Sequence, residues 1–140
     1  MSPTLHYTRL DPGGALPPLG CAEPFRAIVL VRRPVDNEWR NRVSDWLVAA
    51  GCLYMLAWGH DCSKWDDAVD WANIAAWHSA PIPEDRFVMT TWHEDERLDE
   101  VLEFAKHLAH HPLVEIGTNR LFDIADVDDE VALQAAWRAA

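Results

Sequence analysis

Positive charge is scarce in this chain. Lys and Arg number 12 against 23 Asp and Glu, for a net charge of −11. With so few cations it has little to neutralise phosphates, which argues against nucleic-acid binding. An anionic membrane surface is disfavoured for the same reason, and no apolar run reaches the ~18 residues of a bilayer span. Cysteine is sparse too. Cys21, Cys52 and Cys62 are too few, and odd in number, for a disulfide framework. The opening MSPTLHYTRLDPGG lacks the basic and apolar regions of a secretory signal, so free thiols in a reducing cytoplasm are expected. Glycine-rich phosphate loops are missing, since neither G-x-G-x-x-G nor G-x-x-x-x-G-K-[ST] occurs. Zinc-type C-x-x-C and H-E-x-x-H pairs are missing as well. No repeat or low-complexity tract breaks the chain.

What is present is enough for one domain of 140 residues with its own core. Residues 1–24 hold five of the nine prolines and three of the six glycines, and read as an extended arm anchored by Leu5, Tyr7, Leu10 and Leu16. The domain proper is expected over 25–140. Phe25–Val31 is a short apolar run rich in branched residues, as in a strand buried on both faces. A helix from Asn37 to Ala50 follows, with Trp39, Val43, Trp46, Leu47 and Ala50 on one stripe and Gly51 after its end. The unit recurs as Cys52–Trp58 and a helix capped at Ser63 and running to Trp77. It recurs again as Arg86–Trp92 and a helix over Leu98–His110. Leu113–Ile124 reads as one or two short strands, and a helix over Asp128–Arg138 closes the chain. This alternation predicts a small three-layer α/β sandwich: a mostly parallel sheet of four or five strands flanked by helices, Rossmann-like in the loose sense. The runs Phe25–Val31, Cys52–Trp58 and Arg86–Trp92 are expected to be parallel, adjacent or one strand apart, and buried on both faces.

Ligands of open parallel sheets bind beyond the carboxyl ends of the strands. That rule singles out Trp58, His60, Asp61 and Cys62 after one strand, and Trp92, His93 and Glu94 after another. If these loops converge, His60, Cys62 and His93 offer zinc-type donors, with Asp61 or Glu94 in support, although the spacing matches no established metal pair. Cys62, near a helix start, with His93 as base, has the parts of a thiol dyad. Arg32 and Arg33 after the first strand have two uses: holding an anion, or pairing with the abundant acids, which is the expected one. The His107, His110 and His111 group suits a helix C-terminus. No cofactor and no metal is expected.

The strings FVMTTWHED and CSKWDDAVDWAN resemble those of small bacterial α/β domains in uncharacterised families, over roughly residues 25–124. That resemblance implies a bacterial source and transfers no catalytic residue.

Charge and aromatic content carry the functional expectation. Residues 1–60 hold six basic and five acidic side chains, whereas 61–140 hold six basic and 18 acidic. Helical phase turns Asp66, Asp67 and Asp70 outward on one helix, and Glu100 and Glu103 on the next. Trp71 and Trp77, two of eight tryptophans, fall off the inward stripe and have the character of interface anchors. The sequence therefore predicts a non-enzymatic cytoplasmic domain that docks on a basic protein, in the manner of immunity proteins or regulatory adaptors. The competing expectation is a small-molecule enzyme or sensor using the crevice residues.

Overall fold

The computed structural model describes residues 3–20 and 23–140; Cys21 and parts of the expected N-terminal arm lie outside them. Five strands form one sheet in the order β1-β5-β2-β3-β4. They are β1 (Leu5–Leu10), β2 (Phe25–Val31), β3 (Cys52–Gly59), β4 (Met89–Trp92) and β5 (Thr118–Ile124). Every pairing is parallel. The helices are α1 (Asn37–Ala50), α2 (Cys62–Ala76), α3 (Leu98–His107) and α4 (Glu130–Ala139).

Two apolar clusters define the layers. On one face, Phe25, Ala27, Val29 and Val31 of β2 meet Trp39, Val43 and Leu47 of α1 and Trp65 and Val69 of α2. On the other, Ile28, Leu30 and Leu56 meet Leu102 and Ala105 of α3 and Leu133 and Trp137 of α4. Alternate residues of one apolar run thus feed both cores, and β2 is buried along its whole length. The fold is the expected three-layer α/β sandwich, and β2, β3 and β4 are adjacent and parallel as expected.

Several particulars differ. The stretch Leu5–Leu10 does more than lie across the domain: it pairs with β5 as an edge strand. Residues 11–20 then cross the α1 face, where the indole N–H groups of Trp39 and Trp46 donate to the carbonyls of Gly14 and Pro17. β4 is shorter than Arg86–Trp92, because Glu84–Arg86 is a 3-10 turn. β4 is also not buried on both faces; as an outer strand it is half-exposed. α2 begins at Cys62 rather than after Ser63, with Asp61 in the left-handed region at its cap. Helical spacing also turns Ala76 and Leu108 inward, yet both are exposed, since each sits at the end of its helix. The region from Leu113 contributes a single strand, β5.

Two glycines shape opposite edges of the sheet, Gly51 the amino edge before β3 and Gly59 the carboxyl edge at its end. Gly51 caps α1 with φ 105°, and its N–H closes on the Leu47 and Val48 carbonyls. Gly59 also has φ 105°, and a Cβ there would overlap the Val31 carbonyl oxygen. That close approach lets the His60 N–H bond the same oxygen at 2.9 Å.

Candidate functional site

The strand order reverses direction between β2 and β5, because β2 leads through α1 to one side and β5 lies on the other. The carboxyl ends at that point are where an open α/β sheet places its crevice. Here the position is filled by internal charge pairs. Arg32 Nε lies 3.1 Å from the fully buried Asp123 carboxylate, and its Nη2 reaches Asp129 at 3.2 Å. The first contact is not aligned as a hydrogen bond, so Asp123 Oδ1 has a charge neighbour but no donor. Tyr7 supplies the aligned donor, with its hydroxyl 2.6 Å from Asp123 Oδ2. The same hydroxyl accepts from the Asp129 N–H. Burial pushes the Asp123 carboxyl above its ordinary range, while Tyr7 and then Arg32 pull it back. Arg33 pairs with Asp126. Both arginines are therefore engaged by acids of the same edge.

The loops after β3 and β4 share that edge, as expected, yet their reactive groups do not converge. Cys62 is buried on the α1–α2 face, where burial raises its thiol, the backbone N–H of His93 partly offsets this, and Glu94 adds to the rise. A raised thiol is the wrong setting for a nucleophile. The His93 ring turns to the opposite face and packs on Phe104 of α3 at 4.7 Å. Its Nδ1 meets Glu96 Oε2 at 2.7 Å, and its Nε2 meets Thr91 Oγ1 at 3.0 Å. Glu96 engages one ring nitrogen and Thr91 the other, so neither is available to Cys62. The dyad is not assembled. The donor trio of His60, Cys62 and His93 fails with it, since the sheet separates the His93 ring from Cys62. His60 and Asp61 are exposed, and Trp58 is half-buried with its indole N–H on the Glu96 carbonyl. Cys52 is buried and pushed up to about 12.

The structure brings together a different set around β4. The His93 N–H donates to the Ala57 carbonyl of β3. In a parallel strand alternate residues address the same neighbour, so the N–H and C=O groups of Thr90 and Trp92 face away from β3. Among the described residues no strand lies on that side. On the α2 face, Thr90 Oγ1 reaches Asp66 at 2.5 Å and Asp70 at 3.2 Å. Asp66 and Asp70 therefore lean on the strand, where the sequence expectation turned them outward, and Asp67 alone of the three is fully exposed. Ligand atoms of the three carboxylates lie within 4.8 Å of one another. Burial first, and then Asp66, raises the Asp70 carboxyl above its ordinary range.

Trp71 is 69 % exposed on the next row of α2, and Trp92 is 46 % exposed at the end of β4. Trp77 lies at the far end of α2, where it edges a cleft with Val48 and Leu53. Glu100 and Glu103 are exposed on α3, and the sheet stands between them and the α2 acids. The five acids therefore do not form one continuous helix face. Sequence reading took Tyr7 only as an anchor of the arm, and missed Asp123 and Arg26. The available signal was a charged residue inside an apolar strand run, FRAIVLV or RLFDI.

No curated protein and no solved structure matches the chain. The family model described as Domain of unknown function (DUF7684) matches residues 5–140, the whole sheet with its four helices, and the chain belongs to that family.

Proposed function

We propose that this chain is a non-enzymatic protein-binding domain that takes an extended basic segment of a partner along the free edge of β4. The observation that carries this reading is the unpaired outer side of Thr90 and Trp92, bordered by Asp66, Asp67 and Asp70 and by exposed Trp71. An added strand gains main-chain hydrogen bonds from such an edge, and its alternate side chains choose the partner. Lys or Arg on that segment would meet the three carboxylates, while Trp71 and Trp92 supply flat apolar contact. Negative charge beside the edge also opposes pairing with a second copy, the usual hazard of an open strand. The acids would chiefly raise the association rate, and a desolvated indole would slow release. A toxin-neutralising or regulatory role in a bacterial cytoplasm fits this reading, as do two buried free thiols.

A display library of nine-residue extended peptides, sorted into basic, neutral and acidic sets, tests it. Basic peptides are expected to bind more weakly as salt rises, and to protect the Thr90 and Trp92 amides from hydrogen exchange. Reversal of Asp66, Asp67 and Asp70 to Lys should lower the association rate at least tenfold. Selection of no basic peptide, or protection confined to another surface, would overturn the reading.

A further inference from the structure

At the opposite edge of the sheet, under the amino ends of β2 and β5, lies a cleft of about 500 Å³. Its walls include Arg26, Lys106, His110, His111 and Asn119, and the only acid among them is Glu115. A cationic lining is unexpected in a chain of net charge −11.

Arg26 is the feature that needs an account. It is 7 % exposed. Its Nε and Nη2 both donate to the Ala109 carbonyl, at 2.9 and 2.6 Å, and its Nη1 donates to Asn119 Oδ1 at 2.6 Å. Among the described residues no carboxylate forms an ion pair with it. Three of five guanidinium N–H groups are thus used, all on neutral oxygens. Buried cations are ordinarily paired, because an uncompensated charge in a low-dielectric setting is strongly unfavourable. The neighbouring groups are fixed. His111 Nδ1 accepts from the Leu113 and Val114 N–H groups and its Nε2 donates to the Phe87 carbonyl, so the ring holds the rim in shape. Lys106 Nζ donates to the Trp137 carbonyl and to Ala140 O at the side of the cleft.

We infer that this cleft is a binding site for a small organic anion, a carboxylate or a phosphate ester, held by Arg26 with Lys106 beside it. Such a ligand would complete the guanidinium's donors with a charge-assisted pair, and the volume lies in the range of small-molecule sites. The inference is independent of the β4 edge.

Asn119→Asp is the decisive variant, because it places a carboxylate on Arg26 Nη1 within the protein. Phosphate and citrate, titrated against chloride at matched ionic strength, are expected to raise the melting temperature of the native chain saturably. They should also shift the Arg26 Nε–H resonance. In the Asn119→Asp chain the fold should be at least as stable without ligand, and affinity for both probes should fall at least tenfold. Lys106→Gln should weaken binding less than Asn119→Asp does. A saturable effect from neither phosphate nor citrate would overturn the inference, as would undiminished binding by Asn119→Asp. A response to phosphate alone assigns a phosphate ligand, and a response to citrate alone a carboxylate.

Discussion

Gly59 and Gly51 share the same φ of 105° but differ in what surrounds them. At Gly51 a Cβ would meet the Glu23 carbonyl oxygen at 3.5 Å, an ordinary contact, so Gly51→Ala bears only the backbone cost of about 1 kcal/mol. At Gly59 the new atom would overlap the Val31 carbonyl, and Gly59→Ala should cost ~3 kcal/mol or more by adding steric displacement. Denaturant unfolding of the two variants separates these causes; equal losses would refute the steric argument. The Tyr7–Asp123 pair makes a second residue-scale prediction. Tyr7→Phe removes the aligned donor to a buried carboxylate and should cost about 1–3 kcal/mol at neutral pH. The sign with pH follows from the raised Asp123 carboxyl. Ionised Asp123 is less favourable in the folded chain, so its burden is present above the folded pKa and disappears as pH falls below the unfolded value. Loss of the Tyr7 hydroxyl raises the folded value further. The destabilisation by Tyr7→Phe should therefore shrink as pH falls from neutral through the raised Asp123 pKa toward the ordinary carboxylate range. A loss that is constant with pH would detach Tyr7 from Asp123. Neither Asp123 nor Arg26 was legible as a site from sequence, since one charged letter in an apolar run does not say which distant chain segment faces it.

Among the elements, α2 carries conflicting demands. One side, Cys62, Trp65, Val69 and Ala72, packs inward, as its spacing indicates. The adjoining row sets Asp66 and Asp70 one helical turn apart on the same hydroxyl. Like charges at that spacing destabilise a helix, so Asp70→Asn should stabilise the fold by about 0.2–0.5 kcal/mol at neutral pH. Since the Asp70 carboxyl is raised, that gain is present above its folded pKa and vanishes in acid, and salt should diminish it. The same substitution should slow association with a basic segment. Stability gained with binding lost marks an acid kept for function, whereas stability gained with binding untouched would leave it only a solvated side chain. The inward stripes of α1, α2 and α3 were largely legible, because periodicity is a local signal. The position of β4 at the sheet edge was not. Strand order depends on which side of β2 the crossover through α3 lands, and no run of neighbouring letters encodes it. Convergence of His93 with Cys62 failed on a similar point: adjacent loops shared an edge, but strand alternation carried on past β4 turns the His93 ring to the α3 face, whereas Cys62 opens α2 on the other face.

Across the whole molecule, the two ends of the chain meet. Tyr7 bonds Asp123, 116 residues later, and Trp137 and Gln134 of α4 donate to the Pro3 and Leu5 carbonyls. β1 has no sheet neighbour other than β5 among the described residues. Sequence reading took this segment for a surface arm because its half-polar alternation and surrounding prolines give no local indication of a partner so far away. Fragments ending before Thr118 should leave Leu5–Leu10 open to proteolysis, while longer chains that include β5 and α4 should protect it. Early protection would mean that β1 finds another seat. The arrangement has a consequence for biosynthesis. Within this sheet β1 is made before its partner β5, which at about 5–20 residues per second follows roughly 6–25 s later. For that interval the nascent chain carries Leu5, Tyr7 and Leu10 without their sheet, spaced by the polar His6, Thr8 and Arg9.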